Sequence, residues 1–280
     1  MTRDDTIVFI GPGVMAEAMA GGLIDRAGWP PDRIVVSGPR EDRLADLSAR
    51  LGVRTSQDNR KAAGQGQIVV LSVKPQTLPD VTAGLAGGIP PNALVLSIVA
   101  GTRLADLNRR LSHAAIVRAM PNTPAQIGQG ISVWTATEEV TPQQREVARA
   151  VLQACGAEVF VEDEDYLDMA TALSGTGPAY VFLFMEALID AGVHLGFPRR
   201  IAEQLVVETV KGSVAYYEHA PRHFARLRNL VTSPGGTSAA ALYYLEKAGF
   251  RTALSRAIWA AYERSVQLGR GKKRGPVETD

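Results

Sequence analysis

The first part of the chain alternates short runs of β-branched and other apolar residues with helical stretches. These runs do not alternate apolar with polar residues, which is typical of strands that helices cover on both faces. Strands that alternate with helices along the chain predict an α/β domain with a parallel sheet. We expect strands at Ile7–Ile10, Arg33–Val36, Ile68–Val73, Leu94–Ile98, Ala115–Arg118, Gly130–Trp134 and Ala157–Phe160. We expect helices between them at about 14–27, 40–50, 76–86, 102–110 and 142–154.

The second part of the chain has a different pattern, because strand signals stop at about Asp165 and helical periodicity continues. We expect helices at 164–173, 177–194, 199–217, 222–230, 239–248 and 250–268. The sequence therefore predicts an α/β domain at residues 1–163 and an all-α domain at residues 164–268. Residues 269–280 are basic and rich in glycine, which predicts a disordered tail.

One predicted helix is apolar on every side over the run Ala179–Met185. A small helical domain has few places in which to bury such a helix. A second copy of the chain would cover it. We therefore expect an obligate homodimer that forms through the all-α domain.

Composition and charge limit the classes of partner. With 46% hydrophobic and 21% charged residues, the chain has the composition of a globular protein. A net charge of +1 argues against a general nucleic-acid or membrane-surface role. Cys155 is the only cysteine, so an intrachain disulfide is excluded. The N-terminus lacks a signal-peptide core. The apolar run Ala179–Met185 is too short to span a bilayer. We expect a cytoplasmic protein without nucleic-acid or membrane partners.

A glycine-rich turn follows the first predicted strand and opens the first predicted helix. Its G-x-G-x-x-A spacing is that of a dinucleotide-binding turn, in which the first glycine permits the tight turn and the second admits the pyrophosphate. Because proline has no N–H, we expect Val14 and Met15 to donate to the phosphates. The turn consists of Gly11, Pro12, Gly13, Val14, Met15 and Ala16. This pattern predicts a Rossmann-type domain.

The end of the second predicted strand bears on the choice of dinucleotide. A ribose 2′-hydroxyl is usually bound by an acidic residue at this place, but this chain has the segment 37–40, which contains Ser37 and Arg40. A hydroxyl and a guanidinium suit a 2′-phosphate. We therefore predict NADPH as the cofactor. NADH stays a second candidate because Glu41 and Asp42 follow directly.

Three more predicted strands end in segments rich in polar residues, proline or glycine. These segments are Ser72–Gln76, Ser97–Thr102 and Met120–Pro124. Ligands of doubly wound sheets bind beyond the carboxyl ends of the strands, so the three segments indicate one crevice. Lys74 lies between a buried strand and a proline, and we expect it to be partly buried near the cofactor.

A second glycine-rich segment lies in the predicted all-α domain, at Val231–Ser238. It leads into a helix that we expect to begin at about Ala239, with Thr237 and Ser238 at the N-cap. A glycine-rich loop before a helix offers free N–H groups next to a positive dipole end. The loop is thus a candidate site for a carboxylate or a phosphate.

The histidines do not indicate a metal site. His219 and His223 have the i, i+4 spacing of a helical metal pair, but Pro221 lies between them and disrupts the helix that such a pair needs. We therefore expect no metal.

Taken together, these motifs resemble the pyrroline-5-carboxylate reductase family over essentially the full chain. The resemblance implies NADPH-dependent reduction of the cyclic imine 1-pyrroline-5-carboxylate to L-proline, the last step of proline synthesis. It also implies a helical C-terminal domain that dimerises, often within a larger ring of dimers. The matching segments are Gly11–Met19, Val73–Gln76, Met120–Ala125, Leu173–Tyr180 and Val231–Ser238.

The resemblance also assigns roles to individual residues. The positions that match cofactor contacts are Gly11, Pro12, Gly13, Val14, Met15, Ser37, Asn59, Ser72, Val73, Lys74, Pro75 and Ala100, and the residue analysis adds Arg40. The positions that match substrate contacts are Glu164, Gly235, Gly236, Thr237 and Ser238. The chain departs from the family pattern in having Ser238 where threonine is usual and Leu230 where a polar residue is common.

These assignments lead to a mechanistic hypothesis. The protonated iminium is a good electrophile, so positioning contributes more than acid–base chemistry. Backbone N–H groups at Gly236–Ser238 would hold the substrate carboxylate, and the hydroxyl of Ser238 or Thr237 would bind the ring nitrogen. Glu164 would stabilise the cation, or it would be an ordinary carboxylate at a helix start.

Two other functions are compatible with parts of this sequence pattern. A β-hydroxyacid dehydrogenase has a similar order of domains, but a helix of its second domain carries a catalytic lysine and asparagine, and the segment 175–184 contains neither. A non-catalytic sensor that binds NADPH and signals through its dimer would not need the second anion site at 233–238.

Overall fold

The computed structural model describes residues 5–219 and 222–269. The predicted disordered tail lies outside the described residues except for Gly269. The chain forms two compact units, one of residues up to Gly177 together with residues from Ala261 onward, and the other of Pro178–Ala260. This grouping assigns both ends of the helical region to the sheet unit, and the domain limits at 163 and 268 stay predictions.

The first unit contains an eight-stranded sheet in the order β3-β2-β1-β4-β5-β6-β7-β8. Its strands are β1 (Ile7–Ile10), β2 (Ile34–Ser37), β3 (Arg54–Ser56), β4 (Ile68–Leu71), β5 (Leu94–Ser97), β6 (Ile116–Met120), β7 (Gly130–Ala136) and β8 (Gly156–Phe160). The helices between and after them are α1 (Val14–Asp25), α2 (Glu41–Leu51), α3 (Asn59–Ala63), α4 (Leu78–Leu85), α5 (Leu104–Leu111), α6 (Pro142–Gln153) and α7 (Asp165–Ala170). The α/β fold class is confirmed.

The expectation of a wholly parallel sheet was wrong at one pair, because β6 and β7 run antiparallel. A parallel return needs a long crossover, whereas only the short 3-10 turn Thr123–Ile127 lies between these strands. The edge strand β3 and the short helix α3 were not predicted. The sequence of β3, Arg-Thr-Ser, is polar and largely exposed, so it carries no apolar signal.

Alternate residues of the central strands enter two separate cores, one on each face of the sheet. In β1, Ile7 and Phe9 belong to one core and Val8 and Ile10 to the other. This arrangement confirms that helices cover both faces of the central strands. Strand β8 is different, since its residues alternate between half-buried and exposed, as expected at the edge of a sheet.

Cys155 lies in the first of these cores and is 1% exposed. Burial raises the pKa of its thiol to about 11. Cys155 therefore packs as a small apolar residue, because a buried protonated thiol is a poor nucleophile.

The rest of the chain is helical. After a π-helical turn at Thr171–Gly175, the helices are α8 (Gly177–His194), α9 (Arg199–His219), α10 (Phe224–Leu230), α11 (Thr237–Lys247) and α12 (Phe250–Gly269). Within the described part of Pro178–Ala260, only Ala202 and Val206 are buried. Six large apolar residues of α8 are exposed, among them Phe182 and Leu183 at 65% and 66%. This unit therefore exposes an apolar surface of the kind that a protein–protein interface buries.

The helical stretch Asp165–His194 is long and apolar enough to cross a membrane by length and composition alone, with a mean hydropathy of 1.4. It is longer than the run Ala179–Met185 on which the expectation of no membrane span rests. That expectation stays a prediction.

Candidate functional site

The glycine turn after β1 has the backbone that its sequence predicts. Gly11 has a φ of 110°, in the region that favours glycine, and its N–H donates to the Ser37 carbonyl oxygen at 2.8 Å. A Cβ atom on Gly11 would lie 2.8 Å from the carbonyl oxygen of Ser72. The turn therefore passes so close to the end of β4 that a side chain does not fit.

The N-terminus of α1 is open. Gly13 is its N-cap residue and contributes no side chain, and Val14 is 59% exposed. The first N–H groups of a helix have no partner within the helix, so those of Val14 and Met15 can bind an anion. Pro12 is held in place, since its carbonyl oxygen accepts from Arg43 Nε at 3.2 Å and its ring lies close to Gly38.

The end of β2 brings two predicted cofactor residues together. Ser37 is fully buried, and its hydroxyl donates to Asn59 Oδ1 at 2.7 Å. Arg40 is exposed at the start of α2 and makes no ion pair with another described residue. Its guanidinium is thus available to an anion.

The segment after β4 is tied to the glycine turn. The Ser72 hydroxyl donates to the carbonyl oxygens of Ile10 and Gly11, at 3.0 and 2.9 Å. Val73 and Pro75 are half-buried. The expectation that Lys74 is partly buried was wrong. Its carbonyl oxygen accepts from the N–H of Thr77 at 3.0 Å, so Lys74 lies in a surface turn and is exposed.

The segment after β5 contains Ala100, which is half-buried, and Gly101, which has a φ of 76°. A Cβ atom on Gly101 would lie 2.8 Å from the backbone nitrogen of Gly269 at the end of α12. Both residues belong to the sheet unit. The end of α12 thus packs directly against this segment.

The glycine turn lies at the point where the strand order of the sheet reverses, since β1 pairs with β2 on one side and with β4 on the other. Dinucleotides bind at this place in doubly wound sheets. A turn that excludes side chains, an open helix N-terminus and a neighbouring guanidinium fit a dinucleotide with an additional phosphate.

The second glycine-rich loop lies in the helical unit. The expected N-cap was wrong, because α11 begins at Thr237 and its N-cap residue is Gly236. Thr237 and Ser238 therefore occupy the first turn, where their N–H groups lack partners within the helix. Gly235 has a φ of 70°, and the N–H of Gly236 donates to the Ser233 carbonyl oxygen at 3.1 Å. The loop keeps the features of an anion site.

Glu164 has partners that the sequence did not indicate. Its Oε1 accepts from the Leu104 N–H and from Arg118 Nη1, both at 2.8 Å. Arg118 also donates to Asp168 Oδ1 at 3.1 Å, and Ser265 Oγ donates to the same oxygen at 2.7 Å. This cluster was not predicted from the sequence. Its visible signal was Arg118, a charged residue within the apolar strand β6 that would need a buried partner. The substrate contact of Glu164 stays a prediction.

No group of three or more His, Cys, Asp or Glu side chains is placed to hold a metal ion in the ranges 5–219 and 222–269.

Two family models match the chain. Residues 164–268 match a model described as pyrroline-5-carboxylate reductase dimerisation. Residues 6–101 match a model described as NADP oxidoreductase coenzyme F420-dependent. The matched ranges include the glycine turn at 11–16 and the loop at 231–238.

Individual proteins are similar over almost the whole chain. A Synechocystis pyrroline-5-carboxylate reductase is 44% identical over 93% of this chain and 97% of its own length. The corresponding Pseudomonas aeruginosa protein is 38% identical over 94% of this chain and 96% of its own length. A solved Plasmodium falciparum pyrroline carboxylate reductase with NADP bound has a TM-score of 0.89 and 31% identity, and the match covers 96% of this chain and 100% of that one.

Proposed function

The chain belongs to the pyrroline-5-carboxylate reductase family, and we propose that it reduces 1-pyrroline-5-carboxylate to L-proline with NADPH. The observation that carries this proposal is the glycine turn at the switch point of the sheet, where an open helix N-terminus meets the end of β1. Bound NADPH supplies a hydride. In the overall reaction the imine carbon gains that hydride, the C=N bond becomes a single bond and the nitrogen keeps its proton.

The cofactor residues are proposed from the sheet unit. Gly11 and Gly13 leave room for the pyrophosphate, and the N–H groups of Val14 and Met15 bind it. Ser37 and Asn59 form the wall at the adenosine ribose, supported by their mutual hydrogen bond. The nicotinamide side is assigned to segment 72–75 and to Ala100.

The substrate is assigned to the loop Val231–Ser238. The free N–H groups at Thr237 and Ser238, which begin α11, bind the carboxylate, and Gly235 and Gly236 keep side chains away from it. The hydroxyl of Ser238, or that of Thr237, accepts from the protonated ring nitrogen. Because the ring is already cationic, the hydroxyl orients it and no separate acid is needed.

Substitution of Ser238 tests this assignment. A hydrogen bond that involves a charged group contributes about 1.5–3 kcal/mol, so Ser238→Ala is expected to lower kcat/KM roughly 10- to 100-fold. The Kd of NADPH is expected to stay within about twofold. Ser238→Thr is the matched control, because it keeps the hydroxyl, and we expect near wild-type turnover. Unchanged turnover in Ser238→Ala would remove Ser238 from the mechanism.

The preference for NADPH is assigned to Arg40, which is exposed beside the end of β2. Arg40→Ala is expected to lower the ratio of kcat/KM for NADPH to kcat/KM for NADH by about tenfold, because one charge-assisted contact to the 2′-phosphate is lost. Arg40→Lys keeps the charge and is expected to retain most of the ratio. Steady-state assays with both cofactors measure it, and an unchanged ratio in Arg40→Ala would contradict the assignment.

We also propose that the protein is an obligate homodimer, assembled into a ring of dimers, and that it acts in the cytoplasm without a membrane or nucleic-acid partner. The support for the dimer is the exposed apolar surface of α8 and the match of residues 164–268 to a dimerisation model. Light scattering coupled to gel filtration tests it, and a stable folded monomer would contradict it.

The two other functions are set aside. Relatives that are 37–44% identical over 93–94% of the chain are reductases of this one name, which favours neither a β-hydroxyacid dehydrogenase nor a sensor. A spectrophotometric assay of NADPH oxidation in the presence of 1-pyrroline-5-carboxylate distinguishes all three.

A further inference from the structure

We propose that Glu164 is a positioning residue, which fixes the segment 98–104 through the start of α5 and so sets where Ala100 lies beside the cofactor. This inference rests on the proposed function, because that function assigns Ala100 to the nicotinamide side. It replaces the predicted contact of Glu164 with the substrate. Every residue in the argument belongs to the sheet unit.

The first link is a direct hydrogen bond. Leu104 is the first residue of α5, and its N-cap residue Arg103 provides no capping side chain. The carboxylate of Glu164, distant in sequence, accepts from the Leu104 N–H at 2.8 Å. A carboxylate at a helix N-terminus both satisfies an N–H group and complements the helix dipole. Glu164 thus caps α5, which begins at the last residue of the segment 98–104 that contains Ala100.

The second link runs through α12. Ser265 Oγ donates to Asp168 Oδ1, and both residues are buried. The carbonyl oxygen of the same serine lies beside Gly101, where a Cβ atom would approach it to 3.0 Å. Asp168 follows Glu164 by one turn of α7. Glu164, the N-cap residue of α7, and Asp168 within α7 therefore hold segment 98–104 at Leu104 directly and at Gly101 through Ser265.

Arg118 joins the two links electrostatically. It is 2% exposed and donates to both Glu164 and Asp168. A buried charge that loses its partner is strongly destabilising, so the three charges stay together. The Oε1 oxygen of Glu164 thus accepts hydrogen bonds from both Leu104 and Arg118. These contacts favour a positioning role for Glu164.

The backbone donor can be removed without changing Glu164. Leu104→Pro deletes the N–H group, and proline is well tolerated at the first position of a helix. The preceding residue Arg103 already has φ −76° and ψ 153°, which is the conformation that a following proline requires. Leu104→Ala is the matched control, since it shortens the side chain and keeps the N–H group.

The measured quantities are the Kd of NADPH by fluorescence titration, the KM of each substrate, and the melting temperature as a check of folding. We expect Leu104→Pro to raise the Kd of NADPH roughly 3- to 10-fold over Leu104→Ala. This is less than the full effect of one hydrogen bond to a charged group, because the lost bond acts on the cofactor only through the position of Ala100. Glu164→Ala is expected to raise it similarly, and Glu164→Gln less, because the amide oxygen still accepts from Leu104. The KM of pyrroline-5-carboxylate is expected to change little. In the double variant Leu104→Pro/Glu164→Ala, the effects are expected to be less than additive.

Equal NADPH affinities of Leu104→Pro and Leu104→Ala would overturn the proposal. So would a raised KM for pyrroline-5-carboxylate with unchanged NADPH affinity in both Glu164 variants, because that result assigns Glu164 to the substrate cation. If Glu164→Ala fails to fold, the Leu104 pair still decides. A wild-type protein that binds NADPH but does not turn over the imine would contradict the proposed function alone.

Discussion

At the scale of single residues, Gly11 is the position at which the glycine turn tolerates a side chain least. Its φ is 110°, and the space where a Cβ atom would lie is occupied by the backbone of Ser72 and the side chain of Val73. Gly13 is different, because its φ is −77° and a Cβ atom there would be 3.7 Å from the nearest atom, Ser72 O. We therefore propose that the two glycines serve separate purposes, Gly11 for the backbone of the turn and Gly13 for the bound cofactor.

Alanine at each of these glycines separates the two purposes. We expect Gly11→Ala to lower the free energy of unfolding by about 1–3 kcal/mol, because the variant forces a strained φ and a steric overlap. We expect Gly13→Ala to keep the wild-type free energy of unfolding within about 0.5 kcal/mol but to weaken NADPH binding by crowding the pyrophosphate. Urea denaturation and a binding titration measure the two effects. Equal stability of the two variants would contradict this view of the turn.

At the scale of elements, α1 and α2 are joined by a network of four charges. Arg43 and Arg50 of α2 both contact Glu17 of α1 and Asp46 of α2. Arg43 also donates to the carbonyl oxygen of Pro12. The network thus connects the helix that follows the glycine turn with the helix that follows Arg40.

This network predicts a specific dependence of stability on pH. The hydrogen bonds from Arg50 and Arg43 lower the pKa of Glu17 below its ordinary value of 4.5. Because the folded state holds the ionised form more strongly, Glu17 contributes stability above pH 4.5, and this contribution is lost as the pH falls through the folded-state pKa. Partly exposed pairs contribute little, so Glu17→Gln is expected to cost about 0.5–1 kcal/mol at pH 7.

The measurement is the free energy of unfolding of the wild type and of Glu17→Gln from pH 7 to pH 3. The difference between the two proteins is expected to shrink below pH 4.5 and to shrink also at high salt, which screens exposed charges. A difference that stays constant over this pH range would mean that Glu17 acts through packing and not through its charge.

At the scale of the whole molecule, the two units differ in how they obtain a core. The sheet unit buries its central strands completely, as in β1 and β4. The unit Pro178–Ala260 exposes large apolar side chains on α8, and residues 164–268 match a dimerisation model. Self-association through this region follows from the family to which the chain belongs.

A charge on α8 tests this inference. We expect Leu183→Glu to shift the protein from dimer to monomer and to lower its melting temperature, because burying an unpaired carboxylate at an interface is costly. Light scattering and circular dichroism measure the two changes. Ile127→Glu is the control, since Ile127 is 70% exposed in the sheet unit and the same charge there is expected to leave the dimer intact. A dimeric Leu183→Glu would place the interface elsewhere.

Much of the fold was predictable because its signals are local. Buried apolar runs located the strands β1, β4 and β5, and α8 spans the residues 177–194 that helical periodicity predicted. The glycine turn was found for the same reason, since its spacing and its place between the first predicted strand and the first predicted helix identify it. The direction of β7 was not predictable from its own residues, because the short turn before it decides the pairing.

By itself, the sequence determined the Rossmann-type half, the helical half and the two glycine-rich segments that the proposed function uses. Only the tertiary structure decided the environment of Glu164 and Lys74 and the first residue of α11. The cluster around Arg118 joins residues 50 and 97 positions apart in its contacts Arg118–Asp168 and Asp168–Ser265. Local propensities act over a few residues, whereas a buried ion pair forms only when separate elements bring its members together, and no local pattern encodes that meeting.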